Sequence, residues 1–144
     1  MKCLIGSAMA IATLMAIGQP TVAQVAEVPR PTQQGDFRTA KVRGNRGFYA
    51  NTSWLVVDQT PLNCRVSPNG KVQSTLMPGA VIKAVFTGQN QEAIVLQQGS
   101  PWLRVAPKSP NMMSGPAGTC YVRANLRHVA PISEDYIQSG GVRS

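Results

Sequence analysis

Histidine occurs once in these 144 residues, and six acids face 14 Lys and Arg, so little chemistry is open to the chain. A cysteine or serine nucleophile needs a positioned base, and zinc needs four suitable ligands. His128 lies between Arg127 and Val129 with no carboxylate beside it in sequence, which gives it a solvated or capping role. No Gly-x-Ser-x-Gly turn, glycine-rich phosphate loop or metal-ligand spacing occurs. Paired carboxylates hydrolyse glycosides without histidine, but in the expected sheet region the acids are restricted to Asp58 and Glu92, with Glu134 and Asp135 in the tail. No catalytic residue, metal or cofactor is therefore expected. No basic helix and no run of adjacent Lys and Arg is present, so nucleic acid is not an expected partner. The longest apolar stretch, Leu4 to Ile17, is about 14 residues with Gly6, Ser7 and Thr13 inside it, short of the roughly 20 that span a bilayer.

What is present at the N-terminus is Lys2, then a charge-free stretch from Cys3 to Ala26 that closes on small residues at Thr21 and Ala23. A charged start, an apolar middle and a small-residue end form the layout of a secretory signal peptide, read here as residues 1–23 with cleavage after Ala23 and Ala26 as second choice. The expected product, Gln24 to Ser144, is periplasmic or secreted, has no transmembrane anchor, and suits one domain. It keeps 13 of the 14 basic residues and all six acids, a net charge of 13 minus 6, or +7. That balance favours polyanionic neighbours. Cleavage also removes Cys3, leaving Cys64 and Cys120 as an even pair in an oxidising setting, where a disulfide is expected. Closing a loop of about 57 residues would be worth roughly 4 kcal/mol in the chain-entropy picture.

Residues 24–51 are polar, punctuated by Gly and Pro, and without sustained periodicity, and read as a flexible linker. Its Arg30, Arg38, Lys41, Arg43 and Arg46 either hold an anionic surface or are merely solvated. From Trp54 the pattern changes to short stretches rich in Val, Ile, Leu and aromatics, each ended by Gly, Pro, Asn or Ser. Strands are expected at Trp54 to Asp58, Leu62 to Val66, Val72 to Leu76, Ala80 to Thr87, Ala93 to Gln97, Trp102 to Ala106 and Cys120 to Arg123. Asn69-Gly70 and Pro78-Gly79 are turn signals, and Gly88-Gln89-Asn90-Gln91 is a hairpin tip. The stretch 107–119, broken by prolines and glycines, reads as a long exposed loop on which Met112 and Met113 offer an adaptable contact surface. Residues 133–144 read as a flexible tail. The chain is thus expected to be all-β, a small barrel or sandwich.

Four blocks occur in an order that resembles bacterial SH3-like domains. Leu62-Asn63-Cys64-Arg65-Val66-Ser67-Pro68 is similar to the family's opening Leu-Asn-Val-Arg-Ser-Gly-Pro, and Leu76-Met77-Pro78-Gly79-Ala80-Val81-Ile82 to its Leu-x-x-Gly-x-x-Val stretch. Trp102-Leu103-Arg104-Val105 is similar to its Trp-x-x-Val strand, and Cys120-Tyr121-Val122-Arg123-Ala124-Asn125-Leu126 to its closing Gly-Trp-Val-x-x-x-Tyr-Leu. The resemblance implies an antiparallel barrel of five to seven strands over residues 52–132, with a short helical turn at Ala124 to Arg127 before the last strand. It further implies a non-catalytic module that binds cell-wall peptide, peptidoglycan or another anionic envelope component, or else an exported protein in an envelope complex. Tyr121 stands where the family has Trp, and Cys64 and Cys120 replace the family's valine and glycine together, as expected of two strands in contact. Flat aromatic area and carboxylate donors make Arg65, Trp102, Arg104, Tyr121 and Arg123 the candidate ligand-binding residues. Trp54 and Trp102 serve equally well as core.

Overall fold

The computed structural model of the chain describes residues 28–44, 47–107 and 118–133. The expected signal peptide, Met112 and Met113 on the expected loop, and all but the first residue of the expected tail lie outside them.

Short apolar stretches separated by turn residues become ten strands, and no helix occurs among the described residues. Two of them, β1 (Lys41–Gly44) and β2 (Gly47–Ala50), form a separate antiparallel hairpin. The others are β3 (Ser53–Val56), β4 (Leu62–Arg65), β5 (Val72–Leu76), β6 (Val81–Ala84), β7 (Ile94–Gln97), β8 (Ser100–Pro107), β9 (Cys120–Arg123) and β10 (Val129–Pro131). They make one antiparallel sheet in the order β10-β3-β6-β8-β9-β4-β5, with β7 beside β8. The long strand β8 organises it: β7 pairs with Ser100 to Leu103, β6 with Val105 to Pro107, and β9 with Trp102 to Val105.

Every strand of this sheet sends a side chain into one core. Trp54, Val56, Leu62, Leu76, Ile82, Ile94, Leu103, Val105, Val122 and Val129 are all buried there, so the sheet must bend around them. It does not close. Strands β5 and β10 end the path without pairing to each other among the described residues, which corrects the expected closed barrel to an open curved sheet. Part of the interior is filled from outside the sheet instead, by Phe37 and Ala40.

Those two residues also correct the expectation of a flexible linker over 24–51. Phe37 is fully buried and meets the Trp54 ring edge-on at 5.0 Å between centroids. Its N–H donates to Ala124 O at 2.8 Å, and the Leu126 N–H donates to Gly35 O at 2.8 Å. The Asn125 amide donates to Gln34 O and to Asp36 Oδ1. On the other flank Glu92 accepts from the Ala40, Ala93 and Ile94 N–H groups and from the Thr39 hydroxyl. Residues 32–40 are therefore an arm strapped across the sheet. No periodicity announces it because backbone hydrogen bonds and two buried side chains hold it, rather than a repeating apolar face.

The expected helical turn at Ala124 to Arg127 is instead a hydrogen-bonded turn. Asn125 O accepts from the His128 and Val129 N–H groups, and Asn125 Oδ1 from the Arg127 N–H. Residues 126–128 are a turn that feeds directly into β10, and the Leu126 N–H at its start is taken by the arm. Elsewhere turn chemistry follows the residues. Pro78-Gly79, with φ +80° at the glycine, sits inside a Met77–Ala80 turn. At the next site the left-handed residue is Asn69, φ +60°, inside a four-residue turn from Ser67 to Gly70, rather than a two-residue Asn-Gly loop. Gln98 and Gly99, φ +50° and +76°, form the tight β7–β8 turn, with both central residues left-handed as hairpins of this length prefer.

Cys64 on β4 and Cys120 on β9 are disulfide-bonded, with their Cα atoms 5.4 Å apart. The two strands meet at the pair Arg65 and Tyr121, which sets the cysteines diagonally across the ladder on its buried face. Trp54 is core, its Nε1–H donated to Asn51 O.

Candidate functional site

Alternation along β8 and β9 that buries Leu103, Val105, Cys120 and Val122 turns the intervening side chains to the opposite face. Register then decides which of them meet. Trp102 stands opposite Arg123, Arg104 opposite Tyr121, and Tyr121 opposite Arg65. All five candidate residues thus share one face of β8-β9-β4, and two cross-strand cation–aromatic pairs form. The Arg123 guanidinium lies 5.8 Å from the Trp102 ring centroid, and that of Arg104 5.4 Å from the Tyr121 ring.

The five nevertheless divide into two groups. Arg104 is spent on its neighbours: Nε donates to the Tyr121 hydroxyl at 3.0 Å, and Nη1 donates to Thr87 Oγ1. Arg65, Trp102 and Arg123 instead line an open cleft of about 290 Å³, whose other walls are Asp58, Thr60, Pro61, Leu62, Asn63 and His128. Arg104 and Tyr121 lie outside it.

Arg65 Nη1 donates to Gly70 O at 2.8 Å. Arg123 is held at Nη1 by Pro101 O at 2.8 Å, with Nη2 3.6 Å from Asp36 Oδ1. These contacts fix both guanidiniums at the rim, each with five N–H donors. Trp102 is 5% exposed, and its buried Nε1–H meets no acceptor in the protein, a deficit worth about 1–3 kcal/mol.

The opposite wall holds what sequence reasoning missed. Asp58 Oδ2 lies 2.7 Å from His128 Nδ1, while Oδ1 accepts from the Thr60 N–H and hydroxyl. The single histidine therefore does have a carboxylate beside it, 70 residues away in sequence, which corrects the solvated or capping reading. The cause is register. Val56 pairs with Val129, so the residues just beyond those ends converge, and the Val57 and Asp58 N–H groups both donate to His128 O. Aligning the end of β3 with the start of β10 was the only signal available, and β10 is a strand that composition does not reveal. The His128 hydrogen bond, followed by those from Thr60, holds the Asp58 carboxyl below its usual range. As an acceptor Asp58 also fixes the imidazole with Nδ1 protonated, leaving Nε2 as the other ring position.

The cleft accordingly presents two guanidiniums beside the largely buried Trp102, while the carboxylate in its wall is occupied by three donors of its own. Among the described residues no group of three or more His, Cys, Asp or Glu is placed to hold a metal ion, and no helix is long and apolar enough to cross a membrane. The fold and site thus define a disulfide-stapled, all-β chain with a cation-rimmed cleft. No family model matches it, and neither does any curated protein or solved structure.

Proposed function

We propose that this chain is an exported, non-catalytic binding module of SH3-like type, acting in the periplasm or beyond it, that recognises peptidoglycan or another anionic cell-envelope component. The observation that carries this reading is the donor-rich cleft formed by Arg65, Trp102 and Arg123. Free carboxylates of wall peptides are the groups such a rim would take, through charge-assisted bonds to the two guanidiniums. The Cys64–Cys120 disulfide fits an oxidising compartment, and a net charge of +8 over the chain fits an anionic neighbour. A binding rather than catalytic role is supported by Thr60, the hydroxyl in the cleft wall, which is bonded to Asp58 instead of to His128.

Purified sacculi test the reading. The chain should co-sediment with them at low salt, and Arg65→Gln and Arg123→Gln together should cut the bound fraction severalfold. Failure to co-sediment would sink wall binding, and full binding by the double variant would place the site elsewhere. A second reading, docking to another exported protein, is favoured by the outer edge of β5, unpaired among the described residues, where Val72 is 48% exposed. An unpaired edge is a template for a partner strand. Capture from envelope extracts after wall digestion would separate the two.

A further inference from the structure

A surface outside the cleft has a different character. In the β1–β2 hairpin the register pairs Lys41 with Ala50, Val42 with Tyr49, Arg43 with Phe48, and Gly44 with Gly47. Lys41, Arg43, Phe48 and Ala50 therefore share one face, and Val42, Gly44 and Tyr49 the other. The second face is partly closed: Tyr49 lies so close over Gly44 that a Cβ there would come within 2.4 Å of its ring. On the first face nothing covers Phe48, which is 71% exposed, the most of any large apolar side chain among the described residues. Strand β2 is exposed along its whole length.

The charge around this aromatic has one sign. From Phe37 to Val57 the sequence contains no acid, whereas Arg38 precedes the hairpin and Lys41 and Arg43 lie on β1 within it. Lys41 Nζ donates to Asn90 O and Arg38 Nη1 to Gly99 O, carbonyls rather than carboxylates. Glu92, the nearby carboxylate at the arm, is consumed by four donors.

We infer that this hairpin is an interfacial anchor that docks on an anionic lipid bilayer, with Phe48 entering the headgroup–acyl boundary and Lys41 and Arg43 facing lipid phosphates. Aromatic side chains favour that boundary, and basic residues beside it are drawn to anionic leaflets. A soluble polyanion would engage the cations but give the bare phenyl ring nothing to enter. A specific protein interface needs about 800 Å² of matching surface from each partner. A bilayer requires no such area or matching shape.

The whole chain carrying Phe48→Trp tests this, because emission from position 48 responds only to the hairpin, whatever else in the chain touches lipid. Trp54 and Trp102 are buried, and their signal is subtracted with the parent chain. With phosphatidylglycerol vesicles the indole at position 48 should shift to the blue and be quenched by lipids brominated near the headgroup. High salt should reverse both changes, and Lys41→Gln with Arg43→Gln should weaken the partition roughly tenfold or more. With phosphatidylcholine vesicles neither change should occur. No shift on phosphatidylglycerol, an equal shift on both lipids, or a shift on sacculi alone overturns the inference. As a check free of the added indole, Phe48→Ser should weaken co-sedimentation with phosphatidylglycerol vesicles about tenfold, and unchanged binding counts against it.

Discussion

Glu92 shows how much one side chain can hold when its acceptors are placed well. Desolvation opposes its charge, but hydrogen bonds from Thr39, Ala40, Ile94 and Ala93 outweigh it, and the carboxyl is held below its usual 4.5. Glu92→Ala leaves three backbone N–H groups and a hydroxyl without this acceptor. It should lower unfolding free energy by about 1–3 kcal/mol in urea titration, with Glu92→Gln losing less. The sign of the pH effect follows from the same bonds. A carboxyl with a lowered folded pKa contributes stability above its unfolded pKa and loses it as pH falls through the folded one. With ordinary values of 3.8 for Asp58 and 4.5 for Glu92, both lowered, thermal stability should begin to fall near pH 4.5 and continue below 3.8. The descent should be shallower in Glu92→Gln. A melting temperature that rises on acidification through that window would contradict both assignments.

At the scale of elements, what the sequence reveals depends on how each element is held. Seven strands, β3 to β9, were legible because they alternate, or run apolar, between turn residues. Leu62 and Cys64 on β4 and Leu103 and Val105 on β8 alternate onto the buried side, whereas Val66, next in the β4 phase, is exposed. Strands β1, β2 and β10 were not legible, since Lys41 to Gly44, Gly47 to Ala50 and Val129 to Pro131 carry too little alternation to stand out. The site was half legible for the same reason. Aromatic area and carboxylate donors pointed to Arg65, Trp102 and Arg123, but Asp58 and His128 meet only through pairing with the hidden strand β10. The arm was missed entirely, and one substitution tests its weight. Phe37→Ala removes a fully buried ring from against Trp54, a change that typically costs about 3–5 kcal/mol. Amide exchange at Phe37 and Leu126, whose N–H groups join the arm to the sheet, should accelerate with it. If those two amides stay protected, the arm is held by its backbone alone.

For the whole molecule the open sheet raises a question of closure, since a curved sheet whose ends do not pair must be held by something else. Two devices do this at different places. The disulfide joins β4 to β9, the strands whose ladder is a single pair, Arg65 with Tyr121. The arm joins the β6–β7 region through Glu92 to the Asn125 turn. Sequence separation makes the bond matter chiefly through the unfolded chain, because a loop of 56 residues closed by Cys64 and Cys120 is worth about 4 kcal/mol of lost entropy. That is a large part of the roughly 5–15 kcal/mol that a domain of this size possesses. The two devices act on different segments, so their losses should add within several tenths of a kcal/mol. Cys64→Ser with Cys120→Ser, and Phe37→Ala, should each leave a cooperative but weakened fold. The triple variant should be unfolded at room temperature by circular dichroism. If it still melts cooperatively, the core alone holds the sheet in its curve, and the arm and the disulfide are accessories to a fold already complete without them.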